Sequence, residues 1–386
     1  MLTLRSLPQR LWLSSATVLS IALVVGVLLA FLAMAAGFEQ TLEGSGAEDV
    51  AVILAPGSGA ELSSGIGRDQ VTLLSELPGI ARDPGGDPIA SAEVYAVVEA
   101  IKRSTGTPVN TPLRGIGPQA IPFRPGFEIV EGRMFEPGTN EIIVGRGLLE
   151  EFSGFELGAR PSLRSAEWVV VGVFAIPGTV FDSELWADRA VVQNLTDRGA
   201  SVSSMRVRLD GPNAIERMEQ AMDADPRLDF EITVEKEYFG RQSQATSSII
   251  RNLGWPVSIL MALGALAGAL NTMYASVEAR TREIATLRAI GFMGMAGFVA
   301  TLAESLVLSA LGGLIGAVAT YLVFDGLSAS TLALGGSFTQ IVFAFNVGPQ
   351  TIANGVTLAL IIGVLGGFAP AWRAARAPLL AVHRAS

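Results

Sequence analysis

The sequence predicts an α-helical membrane protein: four transmembrane helices, with a mixed α/β extracytoplasmic domain inserted between helices 1 and 2. Three observations predict it. The 386 residues are 50% hydrophobic, with a mean hydropathy of +0.46, more apolar than soluble domains of this size average. Four stretches, residues 11–36, 253–275, 292–324 and 349–369, each supply the roughly 20 apolar residues that a helix needs to cross a hydrocarbon core. More than 200 residues of ordinary globular composition separate the first stretch from the second, enough for a core of their own.

Charge orients the spans. Residues 37–248 carry 32 acidic and 18 basic side chains, a net of −14; the remainder carries 4 and 9, a net of +5. Eight of these nine basic residues stand beside span ends in three groups, Arg5 and Arg10, Arg280, Arg282 and Arg288, and Arg373, Arg376 and Arg384; Arg251 is the one near the outer end of a span. The positive-inside rule puts all three groups, and with them both termini, in the cytoplasm. The acidic domain and the loop at 325–347 then face outward. The first apolar run, about 25 residues, exceeds a secretory signal core, so an uncleaved span is expected. Ser14, Ser15, Thr17 and Ser20 near its inner end can bond the preceding turn's carbonyls.

In the outer segment, 49–55 and 89–101 have strand character, and 68–77 reads as a helix closed by Pro78-Gly79. Residues 168–176 form a Val-rich run suited to a buried strand. Residues 204–209 alternate like an edge strand, 212–222 read as a helix and 230–234 as a strand, a βαβ-like succession. The Pro-, Gly- and Thr-rich stretch 103–140 is expected to form loops of an inserted subdomain. Residues 237–252 lead into the second span as a stalk helix, with Pro256 a candidate kink. The last span is expected to stop at Pro370, leaving 371–386 at the inner surface.

Catalytic chemistry finds little material. Without cysteine there are no disulfides, thiolate metal sites or cysteine nucleophiles. The only histidine, His383, lies in the basic tail, which leaves little for a metal site and no Ser/His/Asp triad outside the membrane. These residues contain no Gly-x-x-x-x-Gly-Lys-Ser/Thr loop for nucleotide phosphates. The acidic pairs Glu150/Glu151 and Asp223/Asp225 read as solvated surface.

The spans carry small residues four apart: Ala22/Gly26, Gly264/Gly268, Gly312/Gly316 and Gly363/Gly367. Such pairs let helix backbones approach, so a tight bundle and a dimer are expected. Glu304 and Asn271 are the polar residues placed inside spans; Glu304 reads first as a structural, hydrogen-bonded carboxyl. Between the second and third spans lies a charged elbow. On a helix Glu278/Arg282 and Arg280/Glu283 can pair, and Ile284, Leu287 and Ile290 form an apolar stripe suited to a protein partner.

The elbow also resembles the coupling segment of the MacB/FtsX-type permeases of ABC transporters, N-x-M-x-x-S-V-x-E-R-T-R-E-I-G-x-x-R-A-x-G. Asn271, Met273, Ser276, Val277, Arg280, Thr281, Arg282, Glu283, Ile284, Arg288, Ala289 and Gly291 fit; Ala279 and Ala285 depart. Residues 370–376 match the family's closing P-A-x-R-A-A-R, and the following D-P-V-E-A-L is degraded here. Glu131–Phe135, Asn140–Gly145 and Val170–Phe174 resemble stretches of the family's outer domain. The resemblance implies a lead-in and first helix at 1–42, a MacB-like periplasmic core at 43–236, a stalk and second helix at 237–275, a coupling helix at 276–291, and FtsX-like helices with a cytoplasmic tail at 292–386. It implies a non-enzymatic transport subunit, multi-pass in a bacterial plasma (inner) membrane. ATP and Mg would be bound by two separate ATPase subunits gripping Glu278, Arg280, Arg282, Glu283, Ile284, Leu287, Arg288 and Gly291. A second permease copy, identical or paralogous, and membrane lipid would complete the unit, with a periplasmic adaptor in an exporter; no nucleic acid is expected. Export or extraction of a lipid, lipoprotein, peptide or toxic compound by mechanotransmission is the leading function. An FtsX-like regulator of cell-envelope enzymes is the alternative, disfavoured because that branch generally has a smaller outer domain.

Overall fold

A computed structural model describes residues 11–290, 293–330 and 341–376, with the side chains of residues 11–14, 282 and 287–289 outside the description. Residues 377–386 of the basic tail, with His383 and Arg384, and Gly291 lie outside the described residues. The chain divides into an outer unit, Phe38–Thr246 with Ser328–Ala344, and a membrane unit formed by the rest.

The outer unit is built on a ten-stranded mixed sheet. In chain order its elements are β1 (Val50–Leu54), α2 (Arg68–Ser75), β2 (Ala90–Lys102), β3 (Pro108–Ile116), β4 (Glu128–Gly132), β5 (Glu141–Gly145), α3 (Arg146–Glu151), β6 (Phe152–Ser153), β9 (Val169–Ala175), β10 (Leu185–Asp188), α4 (Arg189–Leu195), β11 (Ser204–Arg208), α5 (Ala214–Asp223) and β12 (Glu231–Val234). Strands β7 (Ser162–Leu163) and β8 (Ala166–Glu167) form a separate hairpin, as do β13 (Ser328–Ser330) and β14 (Val342–Ala344). The main order is β12-β1-β11-β2-β3-β10-β5-β9-β4, with β6 appended to β2. Only β3–β10 and β5–β9 run parallel among its pairings.

Strand β2 joins the two halves of this sheet. Its residues Ala90–Glu93 pair with β11, and Val94–Ile101 pair with β3. Helices α2 and α5 serve the first half; Met218 and Met222, one turn apart on α5, share a core with Leu74 and Val207. Helix α4 starts on Asp188, whose carboxylate accepts from the N–H groups of Ala190 and Val191. It lies close on β3: a β-carbon at Gly115 would stand 2.9 Å from Val192 Cβ, so glycine is required there.

Two local expectations are corrected. Strand β11 is internal, between β1 and β2, not an edge. Its alternation is real but has another cause: Met205 and Val207 face the hydrophobic core, while Ser204 and Arg206 face a buried ionic cluster. Residues 103–140 are not loop alone; they contain β3, a 3₁₀ helix at Pro118–Phe123 and β4. The loop after the third span returns β13 and β14 to the outer unit, where Ser183 Oγ accepts from the Val342 N–H at 3.0 Å.

The membrane unit draws on four helices long and apolar enough to cross a bilayer: α1 (Leu11–Glu43), α6 (Glu235–Ala279), α8 (Gly294–Phe324) and α9 (Pro349–Ala375). Helix α7 (Thr281–Ala289) lies between α6 and α8. Expected and observed spans differ mainly at their ends. Helix α6 is 45 residues long and runs unbroken past Pro256. Helix α9 continues five residues past Pro370 rather than stopping there, because Ala371 and Ala374 are fully buried and hold the last turn in the bundle.

Glycines set the helix spacing. A β-carbon at Gly312 would lie 2.8 Å from the Val18 carbonyl oxygen, and one at Gly316 2.5 Å from that of Ala22, which brings α8 onto α1. One at Gly367 would lie 2.6 Å from Ser305 Cβ, and one at Gly363 would collide with Ser309 Oγ, which brings α9 onto α8. Ser305 Oγ donates to the Gly363 carbonyl at 2.7 Å. Gly264 and Gly268 differ: no described atom lies within 4 Å of a β-carbon built on either, and it is Ala265 and Ala269 that are buried.

Candidate functional site

Seven charged side chains meet inside the outer unit. Glu61, Glu93, Glu184 and Glu235 face Arg114, Arg124 and Arg206, and none is more than 4% exposed. Their positions follow from the chain path. Glu93 sits on β2 where its partner changes from β11 to β3; Arg206 is on β11 and Arg114 on β3. Glu61 opens a 3₁₀ turn, Arg124 follows the 3₁₀ helix at Pro118–Phe123, Glu184 precedes β10, and Glu235 is the first residue of α6.

The pairing is dense. Arg114 grips Glu184 with two nitrogens, both at 2.7 Å, and also donates to Glu61 and Glu93, at 2.9 Å each from Nη1. Arg206 donates to Glu93 at 2.7 Å, Glu235 at 2.8 Å and Glu61 at 2.9 Å. Arg124 donates to both Glu93 oxygens, at 2.9 and 3.1 Å. Ser204 Oγ donates to Glu61 at 2.5 Å and Trp186 Nε1 to Glu184 at 2.8 Å. Two buried N–H groups, Arg124 Nε and Arg206 Nη2, lack a hydrogen-bond partner among the described residues. The Arg124 guanidinium instead lies 4.0 Å over the Phe181 ring.

Burial alone would neutralise such groups; their mutual attraction reverses this. Burial raises the Glu61 carboxyl, but Arg114 and Arg206 outweigh it and hold it well below the ordinary carboxylate range. Glu93 is likewise held down, against burial, by Arg124, Arg206 and Arg114. The Arg114 and Arg206 guanidiniums are pushed up by their carboxylates despite burial. Arg124 is pushed down by burial, with Arg206 and Arg114 adding to it.

The cluster grips the foot of α6. Beyond Arg206, Glu235 Oε2 accepts from the Ala47 N–H at 3.2 Å, and the Lys236 N–H donates to the Ala47 carbonyl at 3.3 Å. A β-carbon on Gly46 would lie 2.5 Å from Lys236 Cα, so glycine permits this approach. Beside the cluster is a cavity of about 350 Å³, walled by Tyr95, Glu61, Arg114, Tyr238 and Phe239.

In the membrane unit, α6 ends at Ala279 and α7 begins at Thr281. Arg280 lies in the break. Its Nη1 donates to Glu304 Oε2 of α8 at 3.0 Å, and Ser276 Oγ to Glu304 Oε1 at 3.4 Å. Glu304 thus meets a residue of the elbow itself. Arg280 and Glu283, expected to pair along one helix, sit on either side of a helix start; Glu278 and Glu283 are exposed. Ile284 is half-buried, its Cγ2 within 3.8 Å of a β-carbon built on Gly297, whereas Ile290 is 71% exposed. Asn271 is exposed. The side chains of Arg282, Leu287 and Arg288 lie outside the described residues.

No group of three or more His, Cys, Asp or Glu that could hold a metal occurs among the described residues. Two family models match the chain. The MacB-like periplasmic core domain matches residues 14–225, more than half of it, and the FtsX-like permease C-terminal domain matches 256–379. The chain belongs to the MacB/FtsX-type ABC permeases. Its outer unit is the family's extracytoplasmic domain, between the first and second membrane helices. The permease is 27% identical over 277 residues to the pyoverdine export ATP-binding/permease protein PvdT of Pseudomonas entomophila, covering 65% of this chain and 39% of that one. It is 26% identical over 296 residues to the macrolide export ATP-binding/permease protein MacB 1 of Aeromonas hydrophila subsp. hydrophila, covering 70% and 43%. The chain therefore spans about two-fifths of the length of these relatives. Among solved structures, the periplasmic region of MacB from Actinobacillus actinomycetemcomitans aligns at 15% identity and a TM-score of 0.36, over 50% of this chain and 92% of that one.

The ionic cluster escaped the sequence reading. A signal existed: Glu93, Arg114 and Arg206 each interrupt an apolar strand, at Ala92-Glu93-Val94, Leu113-Arg114-Gly115 and Met205-Arg206-Val207. A lone charge in a buried strand needs a partner, but the partners lie far away in sequence.

Proposed function

We propose that this permease couples ATP hydrolysis by a separate ATPase to motion of its extracytoplasmic domain, and that the motion exports or extracts a lipid, lipoprotein, peptide or toxic compound. The observation that carries this reading is the Arg280–Glu304 ion pair at 3.0 Å. It pins the elbow to the third span, so a force on α7 is delivered to both flanking spans. Helix α7 is the input, and ATP and Mg belong to the ATPase that would grip it from the cytoplasm, where both termini also lie. The 45-residue α6 is the lever, and Glu235 is the point where the outer domain receives its motion. The working unit would hold two permease chains, identical or paralogous, and two ATPases, with a periplasmic adaptor if the function is export.

The test uses the permease co-expressed with its ATPase and reconstituted in lipid. Ile290 is highly exposed, so Ile290→Asp leaves the fold intact while putting a charge on the docking stripe; Leu287→Asp puts a charge on the same expected stripe. Both variants should insert and unfold at the wild-type temperature, yet lose ATPase binding or stimulation. Unchanged binding and stimulation in both would overturn the coupling assignment. Co-purification of a cell-wall hydrolase in place of an adaptor would move the reading to envelope regulation.

A further inference from the structure

A second cleft in the outer unit, about 380 Å³, has Arg164 and Arg198 on its walls, with Tyr95, Asn110, Thr196 and Leu62 completing it. It shares Tyr95 and Leu62 with the cavity beside the ionic cluster, but its charge is opposite in character. In the cluster every guanidinium meets a carboxylate. Here Arg198 is held by neutral oxygens: Nη1 donates to the Ser64 carbonyl at 3.0 Å and to Ser203 Oγ at 2.9 Å, and Nη2 to the Leu62 carbonyl at 3.1 Å. Burial first, and then the charge of Arg164, push it down.

Arg164 is placed at a conformational cost. It occupies the two-residue turn of the β7–β8 hairpin with φ +54°, a region that long side chains rarely adopt. Its Nε donates to the Val97 carbonyl at 3.3 Å, which aims the guanidinium at the cleft. Two like charges thus line one cleft in a domain of net negative charge, one fixed by three neutral acceptors and one in a left-handed turn.

We propose that this cleft binds an oxyanion group, a phosphate or carboxylate, carried by a ligand whose apolar body rests against Tyr95 and Leu62. Guanidiniums suit such groups as charge-assisted donors: Arg164 spends only its Nε on Val97, and Arg198 keeps its Nε–H and one Nη2–H beyond its three acceptors. Asn110 and Thr196 supply neutral polar groups at the rim.

The full permease in an uncharged detergent is titrated calorimetrically with inorganic phosphate and, separately, with short-chain phosphatidylglycerol below its micelle concentration. Saturable binding of both at similar affinity identifies a free oxyanion; binding of the lipid alone identifies a headgroup. Either result supports the cleft if Arg164→Gln weakens it about tenfold or more, the scale of a charge-assisted contact, and Arg227→Gln, at an exposed pair with Asp225 elsewhere in the domain, does not. Arg198→Gln also removes the ties to Leu62 and Ser64 and can unfold that corner; Arg164 sits exposed in a hairpin turn, so its variant keeps the test decisive. No saturable binding by either probe, or equal binding by Arg164→Gln and wild type, overturns the proposal.

Discussion

Replacing Arg206 with Met should destabilise the outer domain more than any surface change. The side chain is fully buried and donates to three carboxylates, Glu61, Glu93 and Glu235, at 2.7–2.9 Å. The cluster holds four carboxylates against three guanidiniums, so the variant leaves four against two. Met roughly fills the volume but neutralises nothing. Stranding one member of a buried ion pair costs about 3–5 kcal/mol, a large share of the roughly 5–15 kcal/mol that stabilises a typical domain. The pH dependence carries a sign. In the wild type Glu61 and Glu93 titrate below their ordinary value. Their contribution is therefore complete above about pH 4.3 and fades as pH falls through the folded values. The variant lacks one of the cations that hold them down, so its carboxyls protonate at higher pH and the gap to wild type narrows on acidification. Unfolding is followed in the full chain by fluorescence of Trp168 and Trp186, both buried in the outer domain, with Trp12, Trp255 and Trp372 changed to Phe. The double variant with Glu61→Gln should lose less than the sum of its parts. A loss at neutral pH no larger than the typical point mutation, about 1 kcal/mol, or a gap that widens in acid, would refute the reasoning.

Gly312→Leu and Gly316→Leu force side chains onto the carbonyls of Val18 and Ala22, and should lower the thermal stability of the membrane unit. Gly264→Leu and Gly268→Leu meet no described atom, so they should leave that stability unchanged, and any effect should appear in oligomeric state on size-exclusion chromatography. Glu304→Ala removes the Arg280 ion pair and the Ser276 hydrogen bond and should reduce folded yield, while Glu304→Gln keeps a hydrogen bond and folds but shows weaker ATPase stimulation; wild-type stimulation in both would remove the ion pair from the mechanism. Cysteines at Ser58 and Ser201 should react with an impermeant thiol reagent in cells whose outer membrane, if present, is permeabilised, and one at Thr281 should not. The reverse pattern would invert the topology, and the absence of native cysteine keeps the background clean.

The spans, the inserted domain and five of the ten strands of its main sheet were legible in the sequence because they rest on local quantities: run length, charge asymmetry and alternation. Residues 168–176 read as a buried strand, and β9 lies there between β5 and β4. What escaped depended on which segments become neighbours. Alternation at 204–209 suggested solvent on one side, but that side faces Glu61, Glu93 and Glu235, which lie 145, 113 and 29 residues from Arg206. A period of two records that the two faces of a strand differ, and it does not record what either face meets. The four small-residue pairs look alike as letters, yet three adjoin a neighbouring helix of this chain and Gly264/Gly268 meet no described atom, because spacing fixes a stripe on a helix while its direction is set by packing. In the same way Glu304 was visible as a costly charge in an apolar run, and only the tertiary structure showed that Arg280, in the break before α7, is what neutralises it.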